Sequence, residues 1–143
     1  MTNLEKFLTE IAPIESNQNS AQVAVKSKDY FWYSPILTDG KVCDVIVTPR
    51  SQAELIKVAA ICAKYRINIT VRGGGTGNYG QCVPMAGGVI LDITKLNAVL
   101  NIEDGAVTCE AGILIADLEH AVRADQVVSG GQEILMYPST RDI

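Results

Sequence analysis

The stretch VRGGGTGNYGQ, residues 71–81, places five glycines between positions 73 and 80, directly after a run of residues that predicts a strand. Glycine has no Cβ atom, so backbone N–H groups in such a loop can converge on an anion at close range. The same composition also suits a flexible surface loop or a tight connection between strands. The loop residues alone leave both interpretations open.

Residues 75–80 also have the GxGxxG spacing of a Rossmann dinucleotide site. Such a site needs a helix that begins at the loop, but here Gly87-Gly88 leads into another strand. It also needs an acidic residue about 20 positions further on, whereas Asp92 comes too early and Glu103-Asp104 fits a hairpin turn. The Rossmann interpretation is therefore rejected.

Two strand-like runs flank a helical pattern on the N-terminal side of the loop. The run at 44–48 is followed by Ser51 and Glu54, which have the spacing of a capping box and predict that a helix begins there. The second run, at 67–71, leads into the glycine loop. We expect a β-α-β unit whose strands pair in parallel and whose helix buries Cys62.

Outside this unit, the patterns predict further short elements. An amphipathic helix after Asn3 is followed by a polar loop at 15–20. Beyond the glycine loop we expect a meander, with strands at 89–91, 98–102 and 106–109. A last helix follows Gly112, ends near Arg123 and carries His120 as a solvated side chain. The aromatic cluster 30–33 either packs on the domain or marks a partner surface, and packing is the preferred interpretation.

The amino-acid composition limits the classes of function that the chain can have. With 143 residues and 48% hydrophobic content the chain can form one globular unit. The formal charge of -4 offers no broad basic surface, so nucleic acid is not expected as a partner. The four cysteines form no CxxC pair, so no metal site is expected. Neither a signal peptide nor a membrane span is evident, and a cytoplasmic location is expected.

Several motifs in chain order resemble the FAD-linked oxidase family, of the vanillyl-alcohol-oxidase type. They are a valine-rich strand with a Pro-Arg-Ser helix start at 45–51, the glycine loop at 71–81, a Gly-Gly-strand-Asp segment at 87–92 with Leu96-Asn97 after it, and Ala111-Gly112 before a helix. The likeness runs from about Cys43 to the C-terminus. Because it rests on several ordered motifs, it is far more specific than one glycine loop.

The resemblance implies an α+β structure, the PCMH-type FAD-binding fold, with a β-α-β start followed by a small mixed sheet and a helix. It divides the chain into an N-terminal helix and lead-in segment at 1–42 and the N-terminal subdomain of the FAD-binding domain at 43–143. In the family, further strands and a substrate domain follow. We therefore expect an incomplete domain, truncated from a longer protein or forming one chain of a split one.

The resemblance also implies that the loop binds the pyrophosphate of FAD. The cofactor-binding residues that it assigns are Arg72, Gly73, Gly74, Gly75, Thr76, Gly77 and Asn78, with Pro138, Ser139 and Thr140 near the C-terminus. Some members tether the flavin through a histidine in this loop, but the matching position here is Thr76, so non-covalent FAD is expected. No catalytic residue is assigned, and Asp92 is expected to be structural.

Three hypotheses about function remain open. The preferred one is an FAD-dependent oxidoreductase that oxidises a small hydroxy acid or alcohol, with this chain a part of it and the small-molecule substrate bound by a domain outside it. The second is a split enzyme in which a second chain completes the flavin site. The third is a non-catalytic module that binds a nucleotide or nothing.

Overall fold

A computed structural model describes residues 1–30, 38–103 and 105–129, with side chains described as far as residue 124. Four helices and six strands are found in these ranges. In chain order they are α1 (Asn3–Ile11), β1 (Ser16–Asn17), α2 (Ser20–Lys26), β2 (Val45–Val47), α3 (Gln52–Tyr65), β3 (Ile69–Arg72), β4 (Val89–Asp92), β5 (Val99–Glu103), β6 (Ala106–Cys109) and α4 (Ile115–Ser129).

The main sheet has four strands in the order β1-β2-β4-β3, in which β2, β4 and β3 run parallel and β1 is antiparallel. The expected direct pairing of β2 with β3 is wrong, because β4 lies between them and pairs with both. All four residues of β4 are buried, whereas Ile69 and Val71 of β3 are exposed. The strand β4 thus lies between two parallel neighbours, although it comes last along the chain among the strands of this sheet.

The expected meander is also wrong. The strands β5 and β6 form a separate antiparallel pair, and β4 belongs to the parallel sheet. Gly105, with a φ of 76°, lies in the turn between β5 and β6. The last helix runs to Ser129 rather than ending near Arg123, because no glycine or proline interrupts it before Gly130.

The N-terminal segment contributes to the main core. Thr2 caps α1 by accepting a hydrogen bond from the N–H of Glu5 at 3.2 Å, so the helix begins at Asn3 itself. Phe7 and Ile11 of α1 are buried in the same cluster as the parallel strands and α3. Phe7, Ile11 and Ile14 thus share a core with β2, β4 and α3, and the division at residue 43 stays a prediction.

Two elements occupy the region that was predicted to be a loop at 15–20. Ser16 and Asn17 pair with β2, and the side chain of Asn19 caps α2 by accepting from the N–H groups of Ala21 and Gln22. The strand β1 has two residues, too few to show the alternating sequence pattern of a strand, and it is defined by its pairing with β2. Of the aromatic cluster, Tyr30 is described and residues 31–33 lie outside the described part.

The buried face of α3 agrees with the sequence prediction. The Ser51 hydroxyl accepts from the N–H of Glu54 at 3.2 Å, and the Glu54 carboxylate accepts from the N–H of Arg50 instead of closing a full capping box. Cys62 is fully buried, and this burial raises the pKa of its thiol to about 11. Within the described ranges, no helix has the length and apolarity to cross a membrane, and no cluster of three metal-binding side chains occurs.

Candidate functional site

The glycine loop begins where β3 ends, at the carboxyl edge of the parallel sheet. Arg72, the last residue of β3, lies in register with Asp92 of β4, and its carbonyl oxygen accepts from the N–H of Ile93 at 2.9 Å. Open sheets with parallel strands bind their ligands outside the carboxyl ends of those strands. The sheet therefore presents the loop at the edge where a ligand is expected.

The first half of the loop contains four consecutive backbone N–H donors. Within the described part of the chain, the backbone N–H groups of Gly73, Gly74, Gly75 and Thr76 contact no acceptor. Gly75 has a φ of 72°, in the left-handed region, and so turns the chain between its neighbours. Successive N–H donors around a left-handed residue form a concave site that suits an anion.

Arg72 adds a positive charge to this site. Its guanidinium lies against Gly75, where an ideal Cβ atom would stand only 2.0 Å from Nη2. Nη1 donates to the carbonyl oxygen of Lys28 at 2.5 Å, while Nε is buried without a hydrogen-bond partner among the described residues. A buried donor without a partner costs about 1–3 kcal/mol, which an anionic ligand would recover. A cavity of about 180 Å³ lies here, lined by Lys28, Asp29, Tyr30, Arg72 and Gly75.

Of the predicted loop residues, Arg72 and Gly75 line this cavity, and donors of this kind fit a phosphate group. Thr76 and Asn78 are exposed on the loop. Pro138, Ser139 and Thr140 lie outside the described residues, so their approach to the loop stays a prediction. The sequence interpretation missed Lys28–Tyr30, because no local pattern relates a segment to a loop that is 44 residues away along the chain.

Asp92 has a structural environment, as expected. It is 4% exposed, pairs with Lys26 Nζ at 2.7 Å and accepts from both the N–H and the hydroxyl of Thr94. Burial raises the pKa of Asp92, but the hydrogen bonds from Lys26 and Thr94 outweigh burial and bring the pKa below its ordinary value of 3.8. His120 is exposed on α4 and lies outside the loop, also as expected.

Asp92→Asn is expected to lower the free energy of unfolding by about 2 kcal/mol at pH 7, because it removes a charged hydrogen-bond partner of Lys26. The pKa of Asp92 is lower in the folded chain than in the unfolded chain. Its stabilisation is therefore complete above the unfolded pKa and is lost as the pH falls through the folded pKa. Urea unfolding at pH 7 and at acidic pH should show the deficit shrinking in acid, and a deficit independent of pH would contradict the ion-pair role.

A comparison with known families decides what the chain is. The sequence model of the family described as FAD binding domain matches residues 43–134, more than half of the chain. The chain belongs to this family. FAD is accordingly the cofactor of the domain, and the glycine loop, Arg72 and Asp92 all lie within the matched segment.

Curated relatives place this FAD-binding domain among oxidoreductases. The chain is 31% identical over 118 residues to the D-lactate dehydrogenase of Anaerostipes hadrus, in an alignment that covers 80% of this chain and 24% of the relative. It is 30% identical over 83 residues to the glycolate oxidase subunit GlcD of Bacillus subtilis (strain 168), covering 57% of this chain and 18% of the relative. The chain therefore spans about a fifth of the length of the curated relatives that it matches.

The three-dimensional comparison confirms the expected PCMH-type α+β fold. The structure of p-cresol methylhydroxylase with substrate bound superimposes with a TM-score of 0.72, covering 87% of this chain and 25% of that one. The sequences are 19% identical, so this likeness concerns the fold alone. Family and fold together confirm that the resemblance of the ordered motifs to FAD-linked oxidases is correct.

Proposed function

We propose that residues 72–78 hold the pyrophosphate of non-covalently bound FAD, in an oxidoreductase that acts on a small hydroxy acid or alcohol. The observation that carries the proposal is a set of donors at the carboxyl edge of the sheet that find no acceptor in the described part of the chain. Backbone N–H groups of 73–76 and Nε of Arg72 all lack an acceptor within the described residues. A pyrophosphate offers the oxygen atoms that such donors require.

Non-covalent binding is supported by the side chains of the loop. Position 76 carries a threonine, and the one histidine of the sequence, His120, lies on α4. A histidyl tether to the flavin therefore has no candidate in the loop. When bound, FAD supplies the redox chemistry, and the residues of this chain bind and orient its phosphate end.

The substrate class is proposed from the relatives. D-lactate and glycolate, which the names of the two relatives contain, are both small 2-hydroxy acids. The phosphate site described here contributes no residue that would select such a substrate. We therefore propose that the selecting residues belong to a further domain or to a second chain that completes the flavin site.

Arg72→Leu is expected to weaken FAD binding by roughly tenfold to a hundredfold, because a charged hydrogen bond contributes about 1.5–3 kcal/mol. The measurement is flavin absorbance retained after gel filtration, followed by titration of the purified chain with FAD. Arg72→Lys keeps the charge but loses the planar set of donors, so an intermediate loss is expected. Arg66→Leu, at the opposite edge of the sheet where α3 ends, is the matched control and should bind FAD as the wild type does.

Denaturation of the flavin-loaded chain should release the flavin, since no covalent bond is proposed. Equal affinity of Arg72→Leu and wild type would contradict the role of the loop. A wild-type chain that retains no flavin would favour the split-enzyme hypothesis, in which a partner completes the site. Tight flavin binding without turnover of any 2-hydroxy acid by the complete protein would favour the non-catalytic module.

A further inference from the structure

A segment shortly after α2 contacts the glycine loop through hydrogen bonds. The segment is Lys28–Tyr30, which precedes the portion matched by the family. Its first carbonyl oxygen accepts from Arg72 Nη1 at 2.5 Å, at the start of the loop. The backbone N–H of Tyr30 donates to the carbonyl oxygen of Gly77 at 3.0 Å, in the middle of the loop. The segment therefore contacts the loop at two separate points through its backbone.

The side chain of Asp29 contacts the loop at a third point. Asp29 is 5% exposed, and its Oδ2 accepts from the backbone N–H of Cys82 at 3.3 Å. The same oxygen lies 3.5 Å from the position that a Cβ atom would take at Gly77. Each of the three consecutive residues Lys28, Asp29 and Tyr30 thus forms a hydrogen bond with a different part of the loop: its start, its end and its middle, respectively.

A buried carboxylate beside an anion site raises the electrostatic cost of binding an anion. Arg72 lines the same cavity and offsets part of that negative charge. Asp29 is therefore a poor ligand for a phosphate, and its contribution has to come through the loop. The hydrogen bond to Cys82 provides such a contribution, because it fixes the half of the loop that follows Gly77.

We infer that Asp29 is a positioning residue of the cofactor site. By accepting from Cys82 it orders the end of the loop, so that the N–H groups of 73–76 remain directed towards the FAD pyrophosphate. A chain with five glycines between positions 73 and 80 loses much conformational entropy when a ligand orders it. Ordering the loop in advance lowers that cost and tightens binding. The inference rests on the proposed function of the loop.

The test compares three variants of the whole chain by FAD titration, each after its folding has been verified by circular dichroism. Asp29→Ala removes the acceptor and is expected to raise the Kd for FAD by roughly tenfold. Asp29→Asn keeps an oxygen that can accept from Cys82, so its Kd should stay within roughly threefold of wild type. Such rescue by the amide would not occur if the negative charge itself were required.

Asp44→Ala is the matched control. Asp44 Oδ2 accepts from the backbone N–H of Gly88 at 2.8 Å, ahead of β4 and so at the opposite edge of the sheet. The control loses the same kind of hydrogen bond, and therefore stability, but its Kd for FAD should remain that of the wild type. Equal Kd values for Asp29→Ala and Asp44→Ala would overturn the inference and leave the proposed function intact.

A wild-type chain that binds no FAD by itself would instead contradict a complete flavin site in this chain and favour one that a second chain completes. Amide hydrogen exchange of the chain without FAD then decides the role of Asp29 separately. Faster exchange at Cys82 and along the loop in Asp29→Ala than in Asp29→Asn would sustain its role in ordering the loop. Equal exchange in the two variants would overturn that role as well.

Discussion

Gly112→Ala is expected to lower the free energy of unfolding by about 3 kcal/mol, at the upper end of the cost of overpacking a core position. An ideal Cβ atom at Gly112 would stand 1.7 Å from the carbonyl oxygen of Ile93 and 2.8 Å from that of Leu96. Both are backbone atoms, so no change of rotamer relieves the clash. The N–H of Gly112 also donates to the carbonyl oxygen of Leu96 at 2.8 Å, and moving the segment away would break this bond.

The measurement for Gly112→Ala is urea unfolding followed by circular dichroism. Gly73→Ala is a suitable control, because Gly73 has no positive φ and no heavy atom lies within 4 Å of its ideal Cβ position. Its stability should stay within about 0.5 kcal/mol of wild type, as for an ordinary surface substitution. Equal unfolding midpoints for the two variants would contradict the close approach at Gly112.

Gly75→Val is expected to raise the Kd for FAD by roughly a hundredfold, which corresponds to about 2.7 kcal/mol. A β-branched residue at a φ of 72° is strongly disfavoured, so the loop has to change its turn. The new Cβ atom would also displace the guanidinium of Arg72, which lies 2.0 Å from that position. The substitution therefore disturbs both the N–H donors and the charge of the proposed pyrophosphate site.

The control for Gly75→Val has to separate a loss of affinity for FAD from a loss of stability of the chain. Gly105→Val meets the same backbone strain at a φ of 76°, in the turn between β5 and β6, and no atom lies within 4 Å of its ideal Cβ position. It should destabilise the chain and yet retain flavin absorbance after gel filtration. A Gly75→Val chain that keeps its flavin as well as Gly105→Val does would contradict the placement of the pyrophosphate.

Local signals sufficed for much of this fold. The cap at Ser51 and the apolar face of α3 follow from residues within a few positions of each other, and so does the strand β6 at Ala106–Cys109. The position of the glycine loop after a strand is also local information. The family and the cofactor followed from several motifs in order, whereas the loop alone was ambiguous.

Long-range contacts account for the features that the sequence did not reveal. The insertion of β4 between β2 and β3 depends on pairing between strands that are far apart along the chain, a property of the assembled sheet. The strand β1 exists only because Ser16 and Asn17 pair with β2. The contact of Asp29 with Cys82 joins residues 53 positions apart, and no spacing rule anticipates it.

Arg72 belongs to two structures at once, as the last residue of β3 and the first of the proposed phosphate site. Unfolding of the sheet therefore disrupts the site, and FAD bound at the site stabilises the sheet against unfolding. FAD at about 100 times its Kd would add about 2.7 kcal/mol to the stability of such a chain. We therefore expect FAD to slow proteolysis of the chain, because it lowers the population of the unfolded form that proteases cleave.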